Sequence, residues 1–128
     1  MPRIVIYQER DGRVPFLRFF ERLKPREKAD VRATLELLKE RGHLLRPPHN
    51  EHLGGRLYYL RIASVDGHYR VFYWAHGKGI VILGHGFSKK SRQCPPKELD
   101  RARKMRERFK IDPAAHTYKE EISDGGET

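Results

Sequence analysis

Residues 57–83 read LYYLRIASVDGHYRVFYWAHGKGIVIL, and the architecture follows from this stretch. Three runs, 57–62, 69–74 and 80–83, are rich in the β-branched and aromatic side chains that fit a pleated surface. Asp66-Gly67 separates the first pair of runs and Gly77-Lys78-Gly79 the second. Connections this short predict antiparallel hairpins, because parallel neighbours need a long crossover.

On the N-terminal side, residues 42–56 (GHLLRPPHNEHLGGR) read as a loop rich in Pro, Gly and His. Before it, Phe16, Leu17, Phe20 and Leu23 recur at helical spacing behind Pro15, and Val31, Leu35 and Leu38 repeat the pattern up to Gly42. Pro25 divides them, so a helical hairpin over 15–23 and 26–41 is predicted. The β-branched segment at residues 3–7 supplies a first strand. On the C-terminal side, Pro95-Pro96 introduces a helix carrying Leu99, Ala102, Met105 and Phe109 on one face. The prediction is an α+β domain in the order β-α-α-β-β-β-α. It has a small antiparallel sheet of about four strands, packed with an N-terminal helical hairpin and a C-terminal helix. The domain is expected to span 1–110, followed by an acidic, mobile tail over 111–128.

The 128 residues hold 27 Lys and Arg against 17 Asp and Glu, a net charge of +10. The distribution is uneven. Residues 111–128 carry Asp112, Glu120, Glu121, Asp124 and Glu127 against Lys119 alone, so the other 110 residues hold a net +14. A basic domain of this size attracts polyanions, nucleic acid first, although a solvated basic surface needs no ligand. The longest strictly apolar run, 80–83, is far short of the ~20 residues of a membrane span. The N-terminus has no signal-peptide pattern. The single Cys94 forms neither an internal disulfide nor a cysteine zinc cluster, and a reducing, cytoplasmic setting without membrane contact is expected.

The hairpins also place charges. A two-residue turn at Asp66-Gly67 sets Arg61 opposite Phe72 with Arg70 diagonal to it; a four-residue loop over 64–67 sets Arg61 directly opposite Arg70. Both registers put the two arginines on one face. A two-residue turn at Gly77-Lys78 sets His85 opposite Arg70, with Phe87 and Lys89 following on that face. Clustered cations of this kind suit a phosphodiester: arginine forks onto phosphate oxygens, lysine acts as a point charge and imidazole moves protons near neutrality. The same face carries Tyr59, Phe72 and Trp74, which are core residues or stacking faces for bases. Other combinations fall away. His43, His49 and His52 lack the further ligands of a zinc site. Gly84-x-Gly86-x-x-Lys89 lacks the Gly-Lys-Ser/Thr ending of a phosphate-binding loop. Ser88 and Ser91 have no evident triad partners.

The runs Leu57-Tyr58-Tyr59-Leu60-Arg61, Tyr69-Arg70-Val71-Phe72-Tyr73 and Leu83-Gly84-His85-Gly86-Phe87-Ser88-Lys89-Lys90, followed by the Pro95-Pro96 helix start and Leu99, resemble the HigB-type, phage-derived branch of the RelE/ParE toxins. The resemblance spans roughly residues 2–110. It implies the toxin of a type II toxin–antitoxin pair, acting as a ribosome-dependent mRNA endonuclease with no metal and no cofactor. It also implies a cognate antitoxin, often a helix-turn-helix protein, with operator DNA reached only through the complex. By position, Arg70 and Arg61 become the phosphate or transition-state stabilisers and Lys89 a basic catalytic group. His85 is the candidate for proton transfer. Lys90, Arg92, Tyr59 and Trp74 are the expected RNA contacts. Two alternatives remain: a ParE-like gyrase inhibitor, and a non-catalytic phage-derived RNA-binding protein.

Overall fold

The computed structural model describes residues 3–65, 67–89 and 94–119. Its elements are β1 (Arg3–Ile6), α1 (Pro15–Glu21), α2 (Pro25–Arg41), β2 (Asn50–Gly54), β3 (Leu57–Ser64), β4 (Gly67–Ala75), β5 (Ile80–Lys89) and α3 (Pro96–Ile111). Proline begins each helix, where its missing N–H costs nothing. At α2 the Lys24 amide also donates to Glu27 Oε1 at 2.8 Å, which ties the helix start to its own first turn.

The α+β class holds, but the sheet differs from the one expected. It has five strands in the order β1-β5-β4-β3-β2, and it is mixed, because β1 runs parallel to β5. The first and last strands become neighbours through a crossover made of everything between them, a pairing that no local pattern reveals. The additional strand, β2, comes from the segment expected to be loop. It lacks an apolar alternation and is held by specific contacts instead. The buried Asn50 side chain donates to Leu45 O at 3.2 Å and to Tyr73 Oη at 2.8 Å, and the His52 ring stacks on Tyr58.

The two sheet faces bury separate cores. On one, Val31 and Leu38 of α2 and Phe16 of α1 pack on Leu60, Ile62, Val71 and Leu83. On the other, Ala102, Met105 and Phe109 of α3 pack on Leu57, Phe72, Trp74 and Ile82. The domain also continues past residue 110. The Gln8 amide donates to His116 O, Tyr7 pairs with Thr117, and the Tyr118 amide donates to Ile6 O. The buried His116 ring stacks on Tyr7 with centroids 5.1 Å apart. Residues 112–118 of the expected tail thus pack beside β1, and residues 120–128, which hold most of its acids, lie outside the described residues.

The β3–β4 register pairs Arg61 with Arg70, the direct pairing among the two expected, but it reaches it with Ser64 opposite Gly67, so that only residues 65–66 connect the strands. The β4–β5 register differs from the expected one, since Phe87, not His85, faces Arg70. Two local features cause this. The connection after β4 is longer than a two-residue turn: the His76 amide donates to Ile80 O, with Gly77 and Gly79 at φ of 63° and 72°. A bulge then shifts the register between Val71 and Tyr73. A longer connection alone would turn His85 to the opposite face, and the bulge turns it back. Glycine is required on both sides of His85 by close packing. A Cβ at Gly84 would stand 2.9 Å from the Trp74 ring, and one at Gly86 would stand 2.5 Å from Phe19.

Candidate functional site

Arg61 and Arg70 face each other across β3 and β4, on the sheet face that carries α3 farther along. Two like charges in register repel, so each needs a compensating contact. Arg61 is partly exposed and forms an ion pair with Glu51 of β2, whose carboxylate also accepts from the Tyr59 hydroxyl. This partner raises the already high Arg61 pKa further. Arg70 is 6% exposed. Its guanidinium lies over the Tyr59 ring, 5.2 Å from the centroid, and its Nη1 donates to Tyr69 O at 3.2 Å. Its Nε is buried without a hydrogen-bond partner among the described residues. A buried guanidinium stacked on an aromatic ring is firmly oriented, and its Nε is a donor that the described residues leave unused.

His85 is brought onto the same face but is set into the protein. Its ring is 1% exposed and packs on Phe72 with centroids 5.0 Å apart. Nε2 lies 2.8 Å from Glu98 Oε1 in the first turn of α3, so Nε2–H donates to the carboxylate and Nδ1 is left buried without a partner. Burial lowers the imidazole pKa to about 4, the Arg101 charge acts in the same direction, and Glu98 opposes both. At neutral pH the ring is uncharged. Glu98, with its side chain 30% exposed, is the accessible end of the pair. The sequence offered one signal for it, an acid in the turn after Pro95-Pro96, close in the chain to the basic motif.

The remaining expected residues are placed as follows. Tyr59 and Trp74, the expected stacking faces, are 2% and 1% exposed and belong to the core under α3. Trp74 packs edge-on against Tyr7 and Phe109. Lys89 ends β5, in register with His68. Lys90 and Arg92 lie outside the described residues.

A second group of arginines lies outside the residues that the sequence singles out. The register of β1 with β5 ends at Leu83, whose carbonyl accepts from the Tyr7 amide at 3.0 Å, while β5 continues to Lys89. Beside this overhang is a cleft of about 530 Å3, lined by Arg13, Arg18 and Arg22 from the α1 side, Arg101 from α3, and Phe19, His85 and Phe87. Arg13 is paired with Asp11 at 2.8 Å. Glu9, the acid in the lining, accepts from the Tyr7 hydroxyl at 2.9 Å and lies 3.5 Å from Arg108. Arg18, Arg22 and Arg101 are exposed and form no ion pair among the described residues. Among these residues no three His, Cys, Asp or Glu side chains gather as a metal site, and no helix is long and apolar enough to cross a membrane.

No curated protein matches the chain. Residues 18–107 match the family model described as Phage derived protein Gp49-like (DUF891), which takes in the chain from within α1 to the last turns of α3 and includes Arg61, Arg70, His85 and Glu98. With most of the chain inside that match, the protein belongs to the Gp49-like family of phage-derived proteins.

Proposed function

We propose that this chain is the toxin of a type II toxin–antitoxin pair of the HigB kind, a ribosome-dependent endoribonuclease that cuts mRNA in the cytoplasm without a metal or cofactor. The observation that carries the reading is the Arg61–Arg70 pair, two arginines in direct register across β3 and β4 of a Gp49-like chain. Cleavage by the adjacent 2′-hydroxyl requires three things: a proton must leave the attacking oxygen, the crowded phosphorane must be stabilised, and the departing 5′ oxygen must be protonated. Arg70, oriented by Tyr59, supplies the fixed charge for the phosphorane, with Arg61 beside it and Lys89 following on β5. His85 acts with Glu98 in proton transfer, the carboxylate being the end that solvent reaches. The partners that follow are the ribosome with its mRNA and a cognate antitoxin, with operator DNA contacted through the antitoxin.

The test is expression in bacteria with and without Arg70→Ala. The native chain should arrest growth and generate new mRNA ends on ribosomes, and Arg70→Ala should do neither. Arrest and cleavage that survive the substitution overturn the assignment. Two observations favour a second reading, RNA binding without cleavage: Arg61 is already paired to Glu51, and the His85 ring is closed off from solvent. Ribosome binding with no new mRNA ends would support it, whereas DNA damage without mRNA cuts would point to gyrase inhibition. A short helix-turn-helix reading frame beside this one would favour the toxin.

A further inference from the structure

We infer that the arginine cleft at the overhanging edge of β5 is a channel for the phosphodiester backbone of single-stranded RNA, feeding the strand toward the Arg61–Arg70 pair. The identity of the ligand as RNA rests on the ribonuclease reading; the location of the channel does not.

Four features of the cleft support this. Its cations are all arginine, the side chain that forks onto phosphate oxygens. Arg18 in the last turn of α1 and Arg22 at its C-cap are four residues apart, so two like charges gather at one helix end, where an anion would bridge them. Neither they nor Arg101 is neutralised by an acid among the described residues, in contrast to Arg61. Among these arginines the lining holds the aromatic rings of Phe19 and Phe87, beside the polar Glu9 and Ser88, and a ring face tolerates any base and specifies none.

The cleft is also continuous with the proposed catalytic face. Phe87 lines it and is the register partner of Arg70, which is in turn the partner of Arg61. His85 lines it as well, from a buried position where Nδ1 has no partner. A strand lying along Arg18, Arg22 and Arg101 therefore leaves the cleft over Phe87 and meets Arg70 next. An acidic polypeptide is the competing occupant. The aromatic walls flanking guanidinium groups favour a chain that alternates phosphates with flat bases.

The test uses the full chain and a short, fluorescently labelled single-stranded RNA, with anisotropy read across a salt series. The triple variant Arg18→Gln, Arg22→Gln, Arg101→Gln should bind at least tenfold more weakly at about 0.1 M salt. Its plot of log affinity against log salt should flatten by about 2, the value for three lost phosphate contacts on a single strand. The charge-matched control is Lys39→Gln, Arg41→Gln, Lys78→Gln, exposed residues at the other end of the sheet. Equal losses in the two triples would overturn the channel and leave only a general field. A polyglutamate peptide serves as the second probe. If its binding depends on the cleft arginines while RNA binding does not, the cleft takes an acidic protein and the proposal fails. Cleavage is scored separately in Arg70→Ala. No cleavage by the native chain either, with cleft-dependent RNA binding intact, would refute the ribonuclease assignment alone.

Discussion

The Arg61–Arg70 ladder and the β5 cleft use the same side chain in opposite ways. On the ladder, one arginine is paired with Glu51 and the other is buried on Tyr59. In the cleft, Arg18, Arg22 and Arg101 are exposed and form no ion pair among the described residues. Both regions add to the same net charge, yet only position within the fold separates a guanidinium that is held rigid from one that is free to meet a ligand. Rigid charge suits transition-state stabilisation, because nothing reorganises when the negative charge develops. Exposed charge suits capture, because it acts over distance and responds to salt.

The largest expected effect tests that division directly. Arg70→Ala should reduce ribosome-dependent mRNA cleavage by 100-fold or more, about the loss seen when one preorganised donor is removed from an active site. RNA affinity should change far less than in the cleft triple. A drop in affinity that matches the drop in cleavage would erase the distinction between the regions.

The second test concerns His85, which both regions share. Its folded pKa of about 4 lies below the ordinary 6.5, so between these values the unfolded chain binds more protons than the folded one. Stability should be complete above pH 6.5 and fall as pH drops toward 4, by up to about 3 kcal/mol. Denaturant titrations at pH 7 and pH 4 should show a smaller difference in His85→Gln than in the native chain. An identical difference would mean the ring is not buried in its neutral form.

A third, smaller effect concerns the frame that joins the two regions. Gly86→Ala would place a Cβ 2.5 Å from the Phe19 ring and should cost about 1–3 kcal/mol, read as a lower Tm. No change in Tm would show that α1 moves freely over β5, and the cleft would then lack a fixed wall. The smallest effect is expected for Glu51→Gln. Its ion pair with Arg61 is partly exposed, so stability should fall by less than about 1 kcal/mol. If that substitution instead strengthens RNA binding, Glu51 is a competitor for Arg61 as well as its partner.

Much of this molecule is legible in the sequence, for reasons that can be located. The two hairpins follow from β-branched runs broken by Asp66-Gly67 and Gly77-Lys78-Gly79, and the helices from 3.6-residue spacing behind prolines. The shared face of Arg61 and Arg70 follows from the strand period of two. The β2 strand was hidden because Asn50, Glu51 and His52 are held by hydrogen bonds and ring contacts rather than by an apolar alternation. The pairing of β1 with β5 was hidden because it joins the two ends of the sheet sequence. Within the site, Glu51 and Glu98 were missed because each meets its basic partner through tertiary structure, and the α1 arginines because a charged helix face ordinarily means solvent. His85 was placed on the correct face, although not opposite Arg70, because two deviations offset each other.

Those deviations, the longer connection after β4 and the bulge beside Val71, make the β4–β5 hairpin a two-part lock. A one-residue shift of this register would send His85 and Phe87 to the α2 side, away from Arg70, without touching any site residue. Removing the bulge residue as well would restore the facing. Length changes in this hairpin are therefore tolerable only in matched pairs, so the spacing between the two aromatic strands is as much a part of the site as the arginines it aligns.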